Sequence, residues 1–252
     1  MKSTLSVTFL GTGTSQGIPI IGSRHPVCLS SNPKDKRLRV SVLLQWEDFN
    51  YVIDCGPDFR QQMLREEVRH LNGVLLTHEH NDHIIGLDDI RPFYFRQGDI
   101  SFYAEKRVFE ALKQRFSYVF EIENKYPGAP TLQEIEIDEN SIFSISGKKV
   151  IPVRAMHANL PVLGFRIDDF AYMTDVKTIP TSEMEKLKGL EVLVINALRE
   201  KPHPSHLNLE EALALVEALA PKKAYFTHIS HLLGFHDEVE AQLPENIHLA
   251  YD

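Results

Sequence analysis

The sequence has no long apolar run; none approaches the roughly 18 residues that a membrane span needs. It has two cysteines, Cys28 and Cys55, too few for a disulfide framework. It also lacks an excess of positive charge. Lys and Arg number 27 against 35 Asp and Glu, giving a formal charge of −8. That balance excludes a broad phosphate-backbone footprint, because nucleic acids are gripped mainly by surplus cations. The opening MKSTLSVTFLGTG turns polar and glycine-rich too early for a secretory signal. No internal repeat or low-complexity tract appears either. The expectation is a cytoplasmic protein, folded as a single domain over residues 1–252. With 43% hydrophobic residues, such a chain can bury a substantial core.

Histidine, by contrast, is plentiful. Twelve of the 252 residues are histidine, about twice the share expected of an ordinary soluble chain. Imidazole is the commonest metal ligand and the main proton carrier near neutral pH. Their placement therefore matters more than their number.

Apolar patterning predicts strands at 5–10, 38–46, 51–54 and 73–77, with a hairpin through Glu47-Asp48-Phe49-Asn50. Helical spacing covers 58–68 and 105–118. Strands return at 132–137, 142–145, 148–154, 163–167 and 170–174, with a turn at Asp168-Asp169. The last third alternates helix 181–188, strand 190–196, helix 208–219, strand 223–227, a short helix near 236–242 and strand 247–251. Meandering strands followed by alternating helices and strands predict an α/β fold, a four-layer αββα arrangement of two sheets with helices outside.

The strongest local signal follows the strand GVLLT: His78-Glu79-His80-Asn81-Asp82-His83. At these residue frequencies H-x-H-x-D-H arises by chance on the order of once in several hundred chains. Four donors within six residues cannot face one ion from a regular helix or strand, but a tight loop lets them diverge towards two. Further candidates sit after other predicted strands: His157, Asp175 and His228.

With these residues in view, the sequence resembles the metallo-β-lactamase superfamily along essentially its whole length, through LGTGTSQG, THEHNDH, MHANLPVLGFRI, YMTD and YFTHISH. Within it, HEHNDHIIGLDDIRPF, IDCGPDFR, HPSHLNLEEAL and THISHLLG are similar to the PhnP-type phosphodiesterases of the carbon–phosphorus lyase pathway. The resemblance implies two divalent ions, Mn²⁺ or Zn²⁺. His78, His80 and His157 would hold one, Asp82, His83 and His228 the other, with Asp175 bridging. Asp54, ending YVID, would orient a ligand histidine through its other ring nitrogen. His206 matches a family histidine that protonates the leaving group, and the same resemblance leaves His203 outside the match.

PhnP-type proteins also carry a structural zinc on C-x-C-x-x-C and a late histidine. Here Ser23 and His25 replace two of the cysteines, leaving His25, Cys28 and His231. Zinc prefers four ligands in a closed site, so packing and hydrogen bonds are expected to hold loop 22–37, with an additional structural zinc on these three residues as the alternative. The glycines of Gly11-x-Gly13-x-x-x-Gly17 depart from the dinucleotide spacing and predict a tight loop. Arg60, Arg91 and Arg96 have the guanidinium geometry for a phosphate, and Cys55 reads as a small buried residue.

The expected function is a metal-dependent phosphodiesterase acting on small or cyclic phosphodiesters, such as cyclic ribose phosphates, with a metal-activated hydroxide as nucleophile. Beside a thioester or lactam hydrolase, which would lack a counterpart to His206 and the GLDDIRPF segment, two alternatives compete. One is a tRNA 3′-processing endonuclease of the same superfamily, against which stand the acidic balance and the lack of a Gly- and Lys-rich arm. The other is a non-catalytic or carrier relative from quinone cofactor biosynthesis. The expected partner is a small phosphodiester, with no membrane and no long nucleic acid. Homo-oligomerisation is left open.

Overall fold

The computed structural model describes residues 3–252, which form two compact units. One comprises residues 3–10 with Val40–Asp138, the other Gly11–Arg39 with Glu139–Asp252. Each has its own sheet and its own apolar core.

The first unit is built on a six-stranded sheet in simple chain order. Its strands are β1 (Ser6–Gly11), β2 (Ser41–Trp46), β3 (Phe49–Ile53), β4 (Gly73–Leu75), β5 (Ile100–Ala104) and β6 (Leu132–Glu136). β2 and β3 pair antiparallel from Trp46↔Phe49 to Val42↔Ile53, so the hairpin turn is only Glu47-Asp48, tighter than expected. Glu47 takes the left-handed φ of +50° that such a turn needs. From β3 to β6 all pairs are parallel, and parallel strands need crossovers. The helices Phe59–Arg65, Arg91–Gln97 and Lys106–Arg115 lie in these connections. They bury Phe59, Phe93 and Phe109 in one cluster with Val52, Val74 and Phe102 of the sheet. Each fully buried large side chain contributes roughly 1.5–3 kcal/mol.

β5 was not expected, nor was the helical run after the histidine motif: Asn81–Ile84, a 3₁₀ stretch Ile85–Ile90, then Arg91–Gln97. Each piece is too short to show a helical period, and tertiary contacts fix the run instead. The N–H of Cys55 donates to the His83 carbonyl (2.8 Å), and the N–H of Gly86 donates to the Cys55 carbonyl (2.9 Å). Gly86 is needed for this approach, since a Cβ there would lie 2.1 Å from the Gly56 oxygen. The histidine loop is thereby fastened to the end of β3.

In the second unit a seven-stranded sheet runs in the order β13-β12-β11-β10-β9-β8-β7. The strands are β7 (Phe143–Ile145), β8 (Lys148–His157), β9 (Leu160–Ile167), β10 (Phe170–Met173), β11 (Val192–Asn196), β12 (Lys223–Thr227) and β13 (Ile247–Leu249). β7 to β10 form the expected antiparallel meander, turning at Asp168-Asp169 with Asp168 at φ +52°. β10 to β13 are parallel. The helix Leu209–Leu219 lies between β11 and β12 and starts at a complete capping box. Asn208 Oδ1 accepts from the Glu211 N–H (3.1 Å), and Glu211 accepts from the Asn208 N–H (2.9 Å). Such a cap stabilises by about 1 kcal/mol. Ala212, Val216 and Leu219 pack in one cluster with Leu193, Ile195 and Phe226 of the sheet.

In both units the carboxyl ends of the parallel strands open into short loops, and these loops carry the candidate ligands except His157, which ends the antiparallel strand β8. Ligands of open α/β sheets collect at such strand ends. Among the described residues no helix is long and apolar enough to cross a membrane.

Candidate metal centre

In the first unit the site is built outward from Asp54. It follows β3 in a left-handed conformation (φ +65°) and is fully buried. Its carboxylate accepts from the Thr77 N–H (2.8 Å) and the Thr77 hydroxyl (2.9 Å), which ties the end of β3 to the loop after β4. The second carboxylate oxygen lies 2.7 Å from His83 Nδ1. A buried carboxylate accepts there, so Nδ1 carries the proton and Nε2 presents its lone pair. Burial pushes the Asp54 carboxyl up from its ordinary value, while His83 and Thr77 hold it down.

The same Thr77 hydroxyl sets His78. Because it donates to Asp54, it accepts from His78 Nδ1 at 3.0 Å. His78 Nε2, the other nitrogen of that ring, lies 3.0 Å from His80 Nδ1. The His78 and His83 ring centroids are 4.1 Å apart, and Asp82 Oδ2 is 3.3 Å from His83 Nε2. One threonine and one aspartate therefore fix the tautomers of two ligand-type histidines, the outer support that metal-binding imidazoles require. Neighbouring Cys55 is fully buried, and its thiol is pushed up by burial and by Asp54, which disfavours a thiolate nucleophile.

The second unit assembles its own cluster. His157 ends β8, and its Nδ1 donates to the Ser205 carbonyl (2.8 Å), again leaving Nε2 as the donor atom. Asp175 lies just past β10 at φ +58°, and His228 follows β12 at φ +54°. Asp175 Oδ2 accepts from the Thr174 hydroxyl (2.7 Å), while Oδ1 is 3.3 Å from His228 Nε2 and 3.8 Å from His206 Nδ1. His157, Asp175 and His206 each offer a ligand atom within 4.8 Å of the others. The His206 ring centroid is 4.4 Å from that of His157 and 4.7 Å from that of His228. Burial, then the proximity of His228, pushes His206 down to about 3, with Asp175 opposing.

Asp54, Asp175 and His228 all hold left-handed backbone conformations directly after strands. For residues other than glycine this costs on the order of 1 kcal/mol or more each, and it persists where the surroundings enforce it.

Each unit thus brings its own predicted residues together: Asp54, His78, His80, Asp82 and His83 in one, His157, Asp175, His206 and His228 in the other. The support residues Thr77, Thr174, Asn196 and Ser205 were missed. A polar residue ending an apolar strand, as in GVLLT and LEVLVIN, was their available signal. His203 was set aside on sequence, yet its ring lies 5.1 Å from His206. Of the three arginines, Arg91 is engaged by Asp88 at 2.5 Å.

Loop 22–37 makes the following packing contacts and hydrogen bonds. Cys28 packs with Ile18 and Val27 against Ile20 and Phe235. Ser30 donates to Asp35 (2.6 Å), which also accepts from the His236 N–H (2.7 Å). The His25 and His231 rings meet edge-on at 4.7 Å, and His25 Nδ1 caps the Pro26–Leu29 turn through the Val27 N–H.

A family model described as a β-lactamase superfamily domain matches residues 49–229, a span that includes every residue of both clusters. A crystal structure of a diphosphatase from the PhnP family is 40% identical, with a TM-score of 0.92, covering 99% of this chain and 96% of that one. An octanoyltransferase of Porphyromonas gingivalis is 41% identical over 245 residues, 96% of this chain and 49% of that protein. A ribonuclease Z of Bacillus licheniformis is 22% identical over 204 residues, 76% of this chain and 60% of that protein. The chain therefore spans about half the length of these two curated relatives.

Two sheets with helices, and in each unit a buried histidine–aspartate cluster at the strand ends, accompany these similarities. The chain belongs to the β-lactamase superfamily, with the α/β sandwich fold class of that superfamily, and stands close to its PhnP-type members.

Proposed function

We propose that the chain hydrolyses small phosphodiesters, cyclic ribose phosphates among them, and that its two units act as one hydrolase domain. The donor sets fit divalent metal: three imidazoles have Nδ1 engaged by Asp54, Thr77 or Ser205, which turns the Nε2 side of each ring towards the other candidate ligands of its unit. Imidazole with carboxylate and no thiolate suits Mn²⁺ or Zn²⁺. The reading assigns His78, His80 and His157 to one ion, Asp82, His83 and His228 to the other, and Asp175 to both. Two such ions supply an activated water and offset charge on the phosphoryl oxygens.

The observation that carries the phosphodiester reading is His206. It is a buried imidazole beside Asp175 and His228, surplus to the ligand set. An alkoxide leaving a phosphodiester needs a proton, and His206 is placed to deliver it. Asp54 and Thr77 hold His83 and His78 in the binding tautomer throughout.

A second reading, cleavage of a diphosphate linkage, is favoured by the similarity to the PhnP-family diphosphatase. The two differ in the leaving group, because a departing phosphate needs no proton from His206. The test is a substrate panel for the Mn²⁺- and Zn²⁺-loaded protein: cyclic ribose phosphates, dinucleotides, dinucleoside diphosphates, precursor tRNA and an octanoyl thioester. Turnover of the cyclic and small phosphodiesters is expected. Turnover confined to the diphosphates selects the second reading, and turnover confined to precursor tRNA or the thioester overturns both.

A further inference from the structure

Asn196, the last residue of β11, is fully buried, and neither amide atom of its side chain serves a ligand or solvent. Its Oδ1 accepts from the Val176 N–H at 2.6 Å and its Nδ2 donates to the Val176 carbonyl at 3.0 Å. The side chain thus pairs with one backbone residue in the way a neighbouring strand would. Val176 is the residue after Asp175, whose left-handed φ of +58° has to be held against its intrinsic preference.

The same carbonyl links Asn196 to His206. Val176 O also accepts from the Leu207 N–H at 2.8 Å, and Leu207 O accepts from the Leu198 N–H at 3.0 Å. A third link reaches His228. Asn196 is in register with Thr227, and the N–H of the following Ala197 donates to the Thr227 carbonyl at 3.0 Å. Asp175, His206 and His228 lie on three separate loops, and each adjoins a residue fastened at or next to Asn196.

We infer that Asn196 is a positioning residue that sets Asp175, and through it the spacing of His206 and His228, for metal binding. The inference rests on the reading that Asp175 and His228 are metal ligands. Alanine at 196 leaves the Val176 N–H and carbonyl without their side-chain partners in a dry interior. The Asp175 loop can then relax from its left-handed conformation. Aspartate keeps the size and the acceptor but sets a carboxylate oxygen against the Val176 carbonyl, so it loosens the same contact with less loss of packing.

The experiment is titration of the metal-free full chain with Mn²⁺ and with Zn²⁺, following heat and stoichiometry, for wild type, Asn196→Ala, Asn196→Asp and Val216→Ala. Val216 lies on the buried face of the helix Leu209–Leu219 and outside the ligand loops, so its variant reports what lost stability alone does to binding. The expected result is about ten- to hundredfold weaker binding of at least one ion in both Asn196 variants, the range typical of outer-shell partners. Val216→Ala should bind as wild type does at a comparable drop in Tm. Asn196 variants that bind metal as tightly as wild type, or a Val216→Ala loss of the same size, overturn the positioning role. Wild type that binds no metal instead contradicts the ligand reading beneath it. If Asn196→Ala does not fold, Asn196→Asp carries the comparison.

Discussion

Asp175→Ala is expected to lower bound metal to at most one ion per chain and to reduce turnover more than about a hundredfold, beyond the usual effect of losing an outer-shell partner. The side chain is 3% exposed, with Oδ1 3.3 Å from His228 Nε2 and 3.8 Å from His206 Nδ1. Alanine leaves the second unit's cluster with imidazoles only, and no carboxylate remains there to balance a divalent charge. Asp175→Asn keeps the size and the contact with Thr174 while removing the charge, so it separates electrostatics from packing. Elemental analysis of the purified variants, with rates measured on one phosphodiester, decides the matter. A variant that is fully metallated and active rules out Asp175 as the shared ligand.

His206→Ala has the second large effect, and it depends on the substrate. On alkyl phosphodiesters the loss should be about 10²- to 10⁴-fold, the contribution of a placed general acid. On nitrophenyl phosphodiesters the rate should change little, since that leaving group departs unprotonated. Equal losses on both substrates would remove His206 as the acid and make it a ligand, a role its closeness to His157 and Asp175 also permits. The same residue sets an acid limit on the metal-free fold. Its folded value of about 3 lies below the 6.5 of an ordinary histidine. The unfolded chain therefore binds more protons between those values, so this residue's contribution to stability falls as pH drops from 6.5 towards 3. His206→Ala should flatten that part of the Tm–pH curve.

Much of this arrangement was legible before the structure, for reasons that vary from element to element. His78-Glu79-His80-Asn81-Asp82-His83 stood out because its donors are adjacent in sequence. The strands around it stood out because buried parallel strands are continuous apolar runs. Asp54 was expected to orient a histidine, and its contact with His83 has that geometry. What stayed hidden is held by contacts distant in sequence. β5 and the run from Asn81 to Gln97 consist of pieces too short to show a period; β5 is fixed by pairing with β4 and β6, and the run is fastened through Cys55 and Gly86. Asn196 and Thr77 act by bonding residues 20 and 23 positions away, so the polar ending of an apolar strand is the one local mark they carry. His203 reads as an ordinary loop histidine until folding sets it beside His206.

The central claim, made as a proposal, is that two divalent ions support hydrolysis of a phosphodiester. The most direct measurement is the rate on a cyclic ribose phosphate as metal is added stepwise to the metal-free protein. The expected curve is silent without metal and reaches its plateau at two equivalents per chain. A plateau at one equivalent, or turnover that survives complete chelation, would contradict the account.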